Sequence, residues 1–180
     1  MELVIGIVAF SVVLTIVTGI LVPQATRSVD PIMNVRAAEL AQSMLNEITA
    51  KSFDEQSDRS GGVIRCNEDL DADSLFTNTA LGERACSGTL GPDASETDRE
   101  DFDDVDDYHG YSIVADSFGN SIVENGRDLY AGFSVAVAVI YDDDKNGIAD
   151  AGIGNLKLIT VNVSTPLGNN FTYSVYRSNF

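Results

Sequence analysis

The residues best suited to chemistry form an acidic loop, DDDKNGIAD, at positions 142–150. Oxygen-bearing side chains alternate in this loop and are followed by Gly147, which permits a sharp turn, as in loops that bind Ca²⁺. The predicted ligands are the side chains of Asp142, Asp144, Asn146 and Asp150 and the carbonyl of Ile148. The twelfth position is Ile153, not the bidentate glutamate of an EF-hand. An acidic hairpin loop with an Asn-Gly turn is an equally good interpretation.

A second acidic run, at positions 93–107, contains nine carboxylates and one cation, Arg99, and is followed closely by His109. Carboxylates beside a histidine suggest a metal-dependent hydrolase. The chain has a single histidine, however, and no Ser/His/Asp or Cys/His arrangement can be placed around it. We therefore favour a solvated acidic face over a catalytic site, and we expect His109 to pack at the start of a strand.

Cys66 and Cys86 are the two cysteines of the chain. No CxxC motif or Cys/His cluster favours metal or redox chemistry. If the N-terminal segment is a membrane anchor, both cysteines lie outside the cytoplasm, where a disulfide can form. The bond would close a loop of about 20 residues, worth roughly 3 kcal/mol in the chain-entropy model. Two free thiols are the alternative.

Length and charge limit the classes of function. A chain of 180 residues has room for one globular domain and an appendage. The formal net charge of -17 argues against nucleic acid as a partner, because phosphate binding needs clustered Lys and Arg. An acidic surface suits solubility and divalent cations instead.

The elements that carry these residues begin with an uncharged stretch, Leu3 to Val22. About 20 apolar residues are what an α-helix needs to cross a bilayer, so the stretch predicts a transmembrane helix. A signal peptide fits less well, because its apolar region is shorter and follows basic residues. Glu2 precedes the stretch, and a carboxylate there costs roughly 2.5 to 3.5 kcal/mol if it is buried deep in the membrane. Glu2 either lies among the head groups or has a partner.

The helix is expected to continue beyond the membrane. Apolar residues recur at helical spacing after Pro23, at Met33, Ala37, Leu40, Ala41, Met44, Leu45 and Ile48. We predict a helix to about Lys51, with Pro23 and Pro31 as kink points. Residues 1–24 would form the transmembrane or filament-core part, and residues 25–52 the amphipathic part.

The rest of the chain divides by composition. Residues 53–109 are rich in Asp, Glu, Ser and Gly and predict an acidic, loop-rich connector that contains both cysteines. Residues 110–180 switch to a period of two, which is typical of strands with one buried face. They predict an antiparallel β-sheet domain in which the acidic loop joins the two longest strands.

Four or five strands are expected in that domain. Their predicted ranges are 111–115, 121–124, 133–141, 159–164 and 171–176. Their order favours an antiparallel meander whose apolar face packs on the second half of the helix, over Leu40, Met44 and Ile48. The predicted fold class is therefore α+β.

The N-terminal run MELVIGIV resembles the start of type IV pilins and pseudopilins, in which a glutamate precedes an apolar helix. The segments PQATRSVDPIMNVRAAELAQSMLNEI, FDDVDDYHGY and YRSNF are similar to the D-type minor pilins of the mannose-sensitive haemagglutinin (MSHA) pilus. The resemblance implies a long helix packed on a sheet, and it implies that Glu2 attracts the N-terminal amine of a neighbouring subunit. It also implies a basic leader ending in glycine upstream of Met1.

The resemblance further implies a non-enzymatic structural subunit that acts in pilus biogenesis and attachment. Such a subunit would be anchored in the inner membrane of a Gram-negative bacterium, with its C-terminal domain periplasmic, and would later join the extracellular pilus. Its partners would be other pilin subunits. One alternative is a single-pass ectodomain that is anchored in the membrane, binds calcium and acts in adhesion or sensing. Another is a membrane-anchored, metal-dependent hydrolase. Only the pilin interpretation explains Glu2, the apolar helix, its amphipathic extension and the sheet together.

Overall fold

The chain forms two compact units, Met1–Arg36 and Ala37–Phe180. A computed structural model describes residues 2–27, 30–57, 65–73, 75–114, 123–124 and 127–179. The first unit contains helix α1, Glu2–Arg27, whose 26 residues would extend about 39 Å at 1.5 Å per residue. By length and composition, Glu2–Gly19 is long and apolar enough to cross a membrane.

Helix α2 spans Asp30–Thr49. Its start places Pro31 in the first helical turn, where proline is tolerated because its missing N–H has no helical partner. The predicted continuity of the helix lies partly outside the described residues, at positions 28 and 29. Lys51 follows in a tighter turn, since its N–H donates to the carbonyl of Ile48 at 3.1 Å.

The buried stripe of α2 agrees with the predicted helical spacing. Its buried residues are Ala37, Ala41, Met44, Leu45 and Ile48. Of the three residues expected under the sheet, Met44 and Ile48 are buried, and Leu40 is partly exposed. One face of α2 therefore belongs to the core of the second unit.

The second unit contains six described strands. They are β1 Ser112–Val114, β2 Val123–Glu124, β3 Arg127–Asp128, β4 Ser134–Tyr141, β5 Leu156–Ser164 and β6 Asn170–Ser178. Strands β1, β4, β5 and β6 form a four-stranded antiparallel sheet in that order, and β2 pairs with β3 in a separate hairpin. The predicted α+β class and the β4–β5–β6 meander are confirmed. Strand β3 was not predicted, and residues 121 and 122 of the predicted second strand lie outside the described residues.

Strands β4 and β5 present a continuous apolar face to the core, because alternate side chains point to one side of a sheet. Cross-strand pairs on this face join Val135 to Val163, Val137 to Val161 and Val139 to Ile159, and all six side chains are buried. The last pair joins Tyr141 to Lys157. The core face of β5 therefore includes one cationic side chain, that of Lys157.

The acidic connector is attached to the end of α2. Ser52 and Asp104 form an isolated parallel bridge, in which the N–H of Val105 donates to the Ser52 carbonyl at 3.1 Å. A short 3₁₀ helix, Asp106–Tyr108, follows and is buried. The prediction of a solvated acidic face is wrong for Asp104, Asp106 and Asp107, which are at most 3% exposed. The bridge between Ser52 and Asp104 positions this segment in the interior of the unit.

Candidate assembly surface and cation loop

Helix α1 offers a large apolar surface. All its side chains from Glu2 to Gly19 are exposed within the described chain, and those of Leu3, Phe10 and Ile5 are 67% to 76% exposed. Isolated apolar side chains at a surface are ordinary, but a continuous patch of this size marks a contact with lipid or with another protein. The Glu2–Gly19 segment is therefore suited to an apolar environment.

Three hydroxyl side chains within Glu2–Gly19 are compatible with such an environment. The hydroxyls of Ser11, Thr15 and Thr18 donate to the carbonyls of residues four positions earlier, at 2.8, 2.8 and 2.9 Å. These bonds satisfy the hydroxyls within the helix, which lowers the cost of placing them in lipid or in a packed bundle. Glu2 is the one acidic residue of the first turn and is exposed.

In the second unit, Asp142 organises the predicted calcium loop. It follows β4 directly and is fully buried. Its carboxylate accepts hydrogen bonds from the N–H of Asn146 at 2.9 Å, the N–H of Gly147 at 2.9 Å and the hydroxyl of Tyr176 at 2.6 Å. Burial alone would raise the pKa of Asp142, but these hydrogen bonds hold it below its usual value. The hydroxyl that donates becomes harder to ionise, so the pKa of Tyr176 rises to about 12.

The structure brings three of the five predicted ligands together. The Asn146 N–H is shared by the carboxylates of Asp142 and Asp144, and the Asn146 side chain donates to Asp144 at 2.8 Å. The carbonyl oxygen of the Asn146 side chain accepts from the N–H of Ile148 at 2.7 Å. Lys145 and Gly147 both have positive φ angles, of 59° and 79°, which turn the chain back on itself.

Asp150, another predicted ligand, makes its described side-chain hydrogen bond to a different residue. Its carboxylate accepts from the N–H of Asp143 at 2.7 Å. The carboxylates of Asp142, Asp144 and Asp150 do not form a group whose ligand atoms all lie within 4.8 Å of one another. The donor set is all oxygen, which suits Ca²⁺, so the chemistry of the loop fits the cation, and Asp150 would have to move closer to complete a shell.

The two cysteines are joined as a disulfide, with Cα atoms 4.7 Å apart. The predicted pairing of Cys66 with Cys86 is therefore present in the structure. The C-terminal strand supports it, because Asn179 donates through its side-chain amide to the carbonyl of Cys66 at 2.8 Å. Asn179 also bridges to Asn155, whose side-chain oxygen accepts from the same amide at 3.0 Å. The disulfide loop is thereby tied to the open end of the β5–β6 hairpin, where the start of β5 pairs with the end of β6.

A further acidic group inside the disulfide loop was missed by the sequence reasoning. The carboxylate oxygens of Asp69, Asp71 and Glu83 lie within 4.8 Å of one another. Glu83 is fully buried and accepts from the N–H groups of Leu70 at 2.7 Å and Asn78 at 2.9 Å. These two hydrogen bonds explain the burial of the Glu83 carboxylate by a structural role, since it holds the backbone of the loop. The alternation of acidic residues at 69 and 71 was the available signal.

His109 has a structural position, as predicted. Its Nδ1 lies 2.7 Å from the carbonyl oxygen of Val139 and 3.2 Å from the Val139 nitrogen. The ring is thus fixed against the backbone of β4 shortly before β1. Tyr108, beside it in sequence, donates its hydroxyl to Glu47 of α2 at 2.8 Å. Both residues attach the connector to the regular elements.

No family model matches the chain, and neither does any curated protein or solved structure. Function must therefore be inferred from the residues and from their geometry.

Proposed function

We propose that the chain is a structural, non-enzymatic subunit of a type IV pilus or pseudopilus. The observation that carries the proposal is the Glu2–Gly19 part of helix α1, whose apolar side chains are exposed, with Glu2 in the first turn and an α+β unit following. Such a helix needs lipid around it before assembly and other apolar helices around it afterwards. The resemblance of MELVIGIV to pilin N-termini supports the same conclusion.

Glu2 would set the register of assembly. A carboxylate in a low-dielectric helix bundle is costly when alone and favourable when it meets an opposite charge. The N-terminal amine of a neighbouring subunit supplies that charge at the matching depth. The partners are therefore other pilin subunits, contacted through the N-terminal helix.

The subunit would be a minor one of the MSHA type, contributing to pilus biogenesis and attachment. This part of the proposal depends on the similarity of the segments at 23–48, 102–111 and 176–180 to D-type minor pilins. The location would be the inner membrane of a Gram-negative bacterium, with the globular unit periplasmic, and then the extracellular pilus. The exposed apolar helix is compatible with the membrane stage.

The loop 142–150 would bind Ca²⁺ in the periplasm or outside the cell. The shared Asn146 N–H and the hydrogen bonds to Asp142 already hold three ligands in place. Closure of Asp150 onto them would complete the oxygen shell. A single-pass calcium-binding adhesion or sensor ectodomain would have the same loop and a membrane helix, so the two functions are distinguished by the assembly role of Glu2 and not by the cation.

The test is Glu2→Ala introduced into the chromosomal gene. We expect the variant to accumulate normally in the inner membrane but to be absent from sheared filaments, because the unpaired amine of its neighbour is penalised. Glu2→Asp, which keeps the charge, and Glu100→Ala, at an exposed position of the globular unit, are the matched controls. Immunoblots of both fractions measure the outcome. Normal incorporation of Glu2→Ala would remove the basis for an assembly role, and an anchored ectodomain would then be the better interpretation.

A further inference from the structure

Lys157 is a buried cation that lies outside the assembly surface and the cation loop. Its side chain is 0% exposed, on the core face of β5 opposite Tyr141. Transfer of an ammonium group into an apolar interior is costly unless anions and acceptors surround it. Its neighbours must therefore supply that compensation.

Two segments of the connector supply it. The ammonium donates to the Phe53 carbonyl at 2.7 Å, lies 3.4 Å from the Asp54 carboxylate and forms a close ion pair with Asp106. It also lies over the rings of Phe53 and Tyr141, 4.2 and 5.0 Å from their centroids. Lys157 thus holds residues from before and after the disulfide loop against one strand.

The carboxylates around Lys157 outnumber it. Asp54, Asp104 and Asp106 are each at most 2% exposed. They differ in their hydrogen bonds: Asp54 accepts from the N–H groups of Gln56 at 3.0 Å and Ser87 at 2.8 Å. The Asp106 oxygens accept no hydrogen bond from a backbone N–H or a hydroxyl of the described residues, and their partners are the Lys157 ammonium and the Asp54 carboxyl group. One ammonium cannot compensate three buried negative charges.

We propose that the buried cluster of Asp54, Asp104, Asp106 and Lys157 holds protons on the carboxyl groups of Asp104 and Asp106 in the folded protein and releases them at neutral to mildly alkaline pH. Their loss would weaken the attachment of the segments 52–57 and 102–108 to strand β5. The globular unit would thus be most stable at acidic pH, would lose stability as the pH rises towards 7 and 8, and would loosen locally once the protons are lost. This device is independent of the assembly role of Glu2.

The direction of the titration follows from burial. Burial raises the pKa of Asp106 to about 7, with Lys157 opposing the rise and Asp54 adding to it. Burial also raises the pKa of Asp104 to about 8, and the charges of Asp106 and Asp107 add to it. A carboxyl whose pKa is higher in the folded than in the unfolded chain stabilises fully below its unfolded value, near 4. That stability is lost as the pH rises towards 7 and 8.

Other charged groups face the cluster or its segments. They are Tyr141 and Arg177 on the sheet, Glu47 and Lys51 at the end of α2, and Glu96, Arg99, Asp103, Asp107 and Tyr108 in the connector. Burial raises the pKa of Glu96 to about 7, and hydrogen bonding to Asp107 adds to the rise. Since Glu96 titrates in the same range, a pH dependence of the wild type must be assigned by comparing variants.

The experiment is thermal unfolding of the full chain in detergent micelles at pH 6, 7, 8 and 9. The wild type should lose roughly 5 to 10 °C in Tm from pH 6 to pH 9. The double variant Asp104→Asn/Asp106→Asn, which mimics the protonated state, should lose less than half of that. Asp101→Asn, at an exposed position of the same segment, is the matched control and should behave as the wild type does. A wild-type Tm that does not change with pH, or an equal loss in the double variant, would overturn the proposal.

Amide hydrogen exchange of the wild type tests the proposal even if the double variant does not fold. After correction for intrinsic rates, protection in 52–57 and 102–108 should fall about tenfold or more from pH 6 to pH 9. Strand β6, at 170–178, is the internal reference and should change less. Equal behaviour of all three segments would contradict local loosening at the cluster.

Discussion

At the scale of single residues, one buried carboxylate determines the shape of the acidic loop. Asp142 accepts from two backbone N–H groups and from the Tyr176 hydroxyl. These donors keep it ionised, and they leave its remaining lone pairs for a cation. Asp144 is exposed and hydrogen-bonded only within the loop, as far as its contacts are described. Replacing Asp144 therefore removes a predicted ligand without creating a cavity in the core.

We predict that Ca²⁺ stabilises the globular unit through this loop. A ligand that binds only the folded state adds about 2.7 kcal/mol at a hundredfold excess over Kd, which corresponds to roughly 5 to 10 °C in Tm for a unit of this size. Loops of this kind in extracellular proteins bind at about 10⁻⁴ to 10⁻³ M. The measurement is a melting curve of the full chain in detergent, with excess Ca²⁺, with Mg²⁺ and with chelator.

The matched variants are Asp144→Ala, which should lose most of the calcium effect, and Asp98→Ala, at an exposed position of the connector, which should keep it. If Ca²⁺ leaves the wild-type midpoint unchanged, or raises that of Asp144→Ala equally, the loop is an acidic turn and binds no cation.

The buried charges show where residue-level prediction failed. Lys157 interrupts an apolar alternation, so the sequence favoured a strand that begins at Ile159, whereas β5 begins at Leu156. Asp104 and Asp106 belong to a run of acids, and a run of acids indicates a solvated surface. Their burial depends on partners 50 residues away in each direction, Asp54 and Lys157, and no local pattern contains that pairing.

At the scale of elements, the disulfide loop and the last strand support each other. Asn179 connects the Cys66 carbonyl with Asn155 at the start of β5. The N–H of Asn179 also donates to the Asn155 carbonyl at 3.0 Å. The loop between the cysteines contains several turns but no helix or strand in its described residues. Its order therefore depends on the covalent bond and on these contacts.

We predict that the double variant Cys66→Ser/Cys86→Ser loses roughly 3 kcal/mol of unfolding free energy, as expected for a closed loop of about 20 residues. This should lower Tm by about 6 to 12 °C. The oxidised wild type is the reference, and mass spectrometry of the unreduced protein from its native compartment checks the bond. Two alkylatable thiols in that sample, or an unchanged Tm in the variant, would contradict a stabilising disulfide.

The regular elements were the most predictable part of the fold. Alternation located β4 and β6 within a few residues, because one face of each strand is packed and the other is not. Helical spacing likewise located the buried stripe of α2. The two-residue strand β3 has no alternation to detect.

At the scale of the whole molecule, the two units have opposite solvent requirements. Glu2–Gly19 has a mean hydropathy of 2.2 and is not buried within the chain, whereas the second unit has its own core of helix and sheet residues. A monomer in water would leave the first unit uncovered. An assembly in which such helices pack together would cover them and leave the acidic units in water. The helix could be predicted from the sequence because hydropathy and length alone define it.

The most direct test of the assembly claim is photo-crosslinking through α1 in living cells. A photoreactive residue replaces Leu14, which is 53% exposed, and filaments are sheared from the cells after irradiation. The account predicts crosslinks between the α1 segment and the N-terminal helices of other pilin subunits in the filament fraction, and their loss when Glu2→Ala is added. Recovery of the protein in the membrane alone, with crosslinks to lipid and to no other helix, would contradict it.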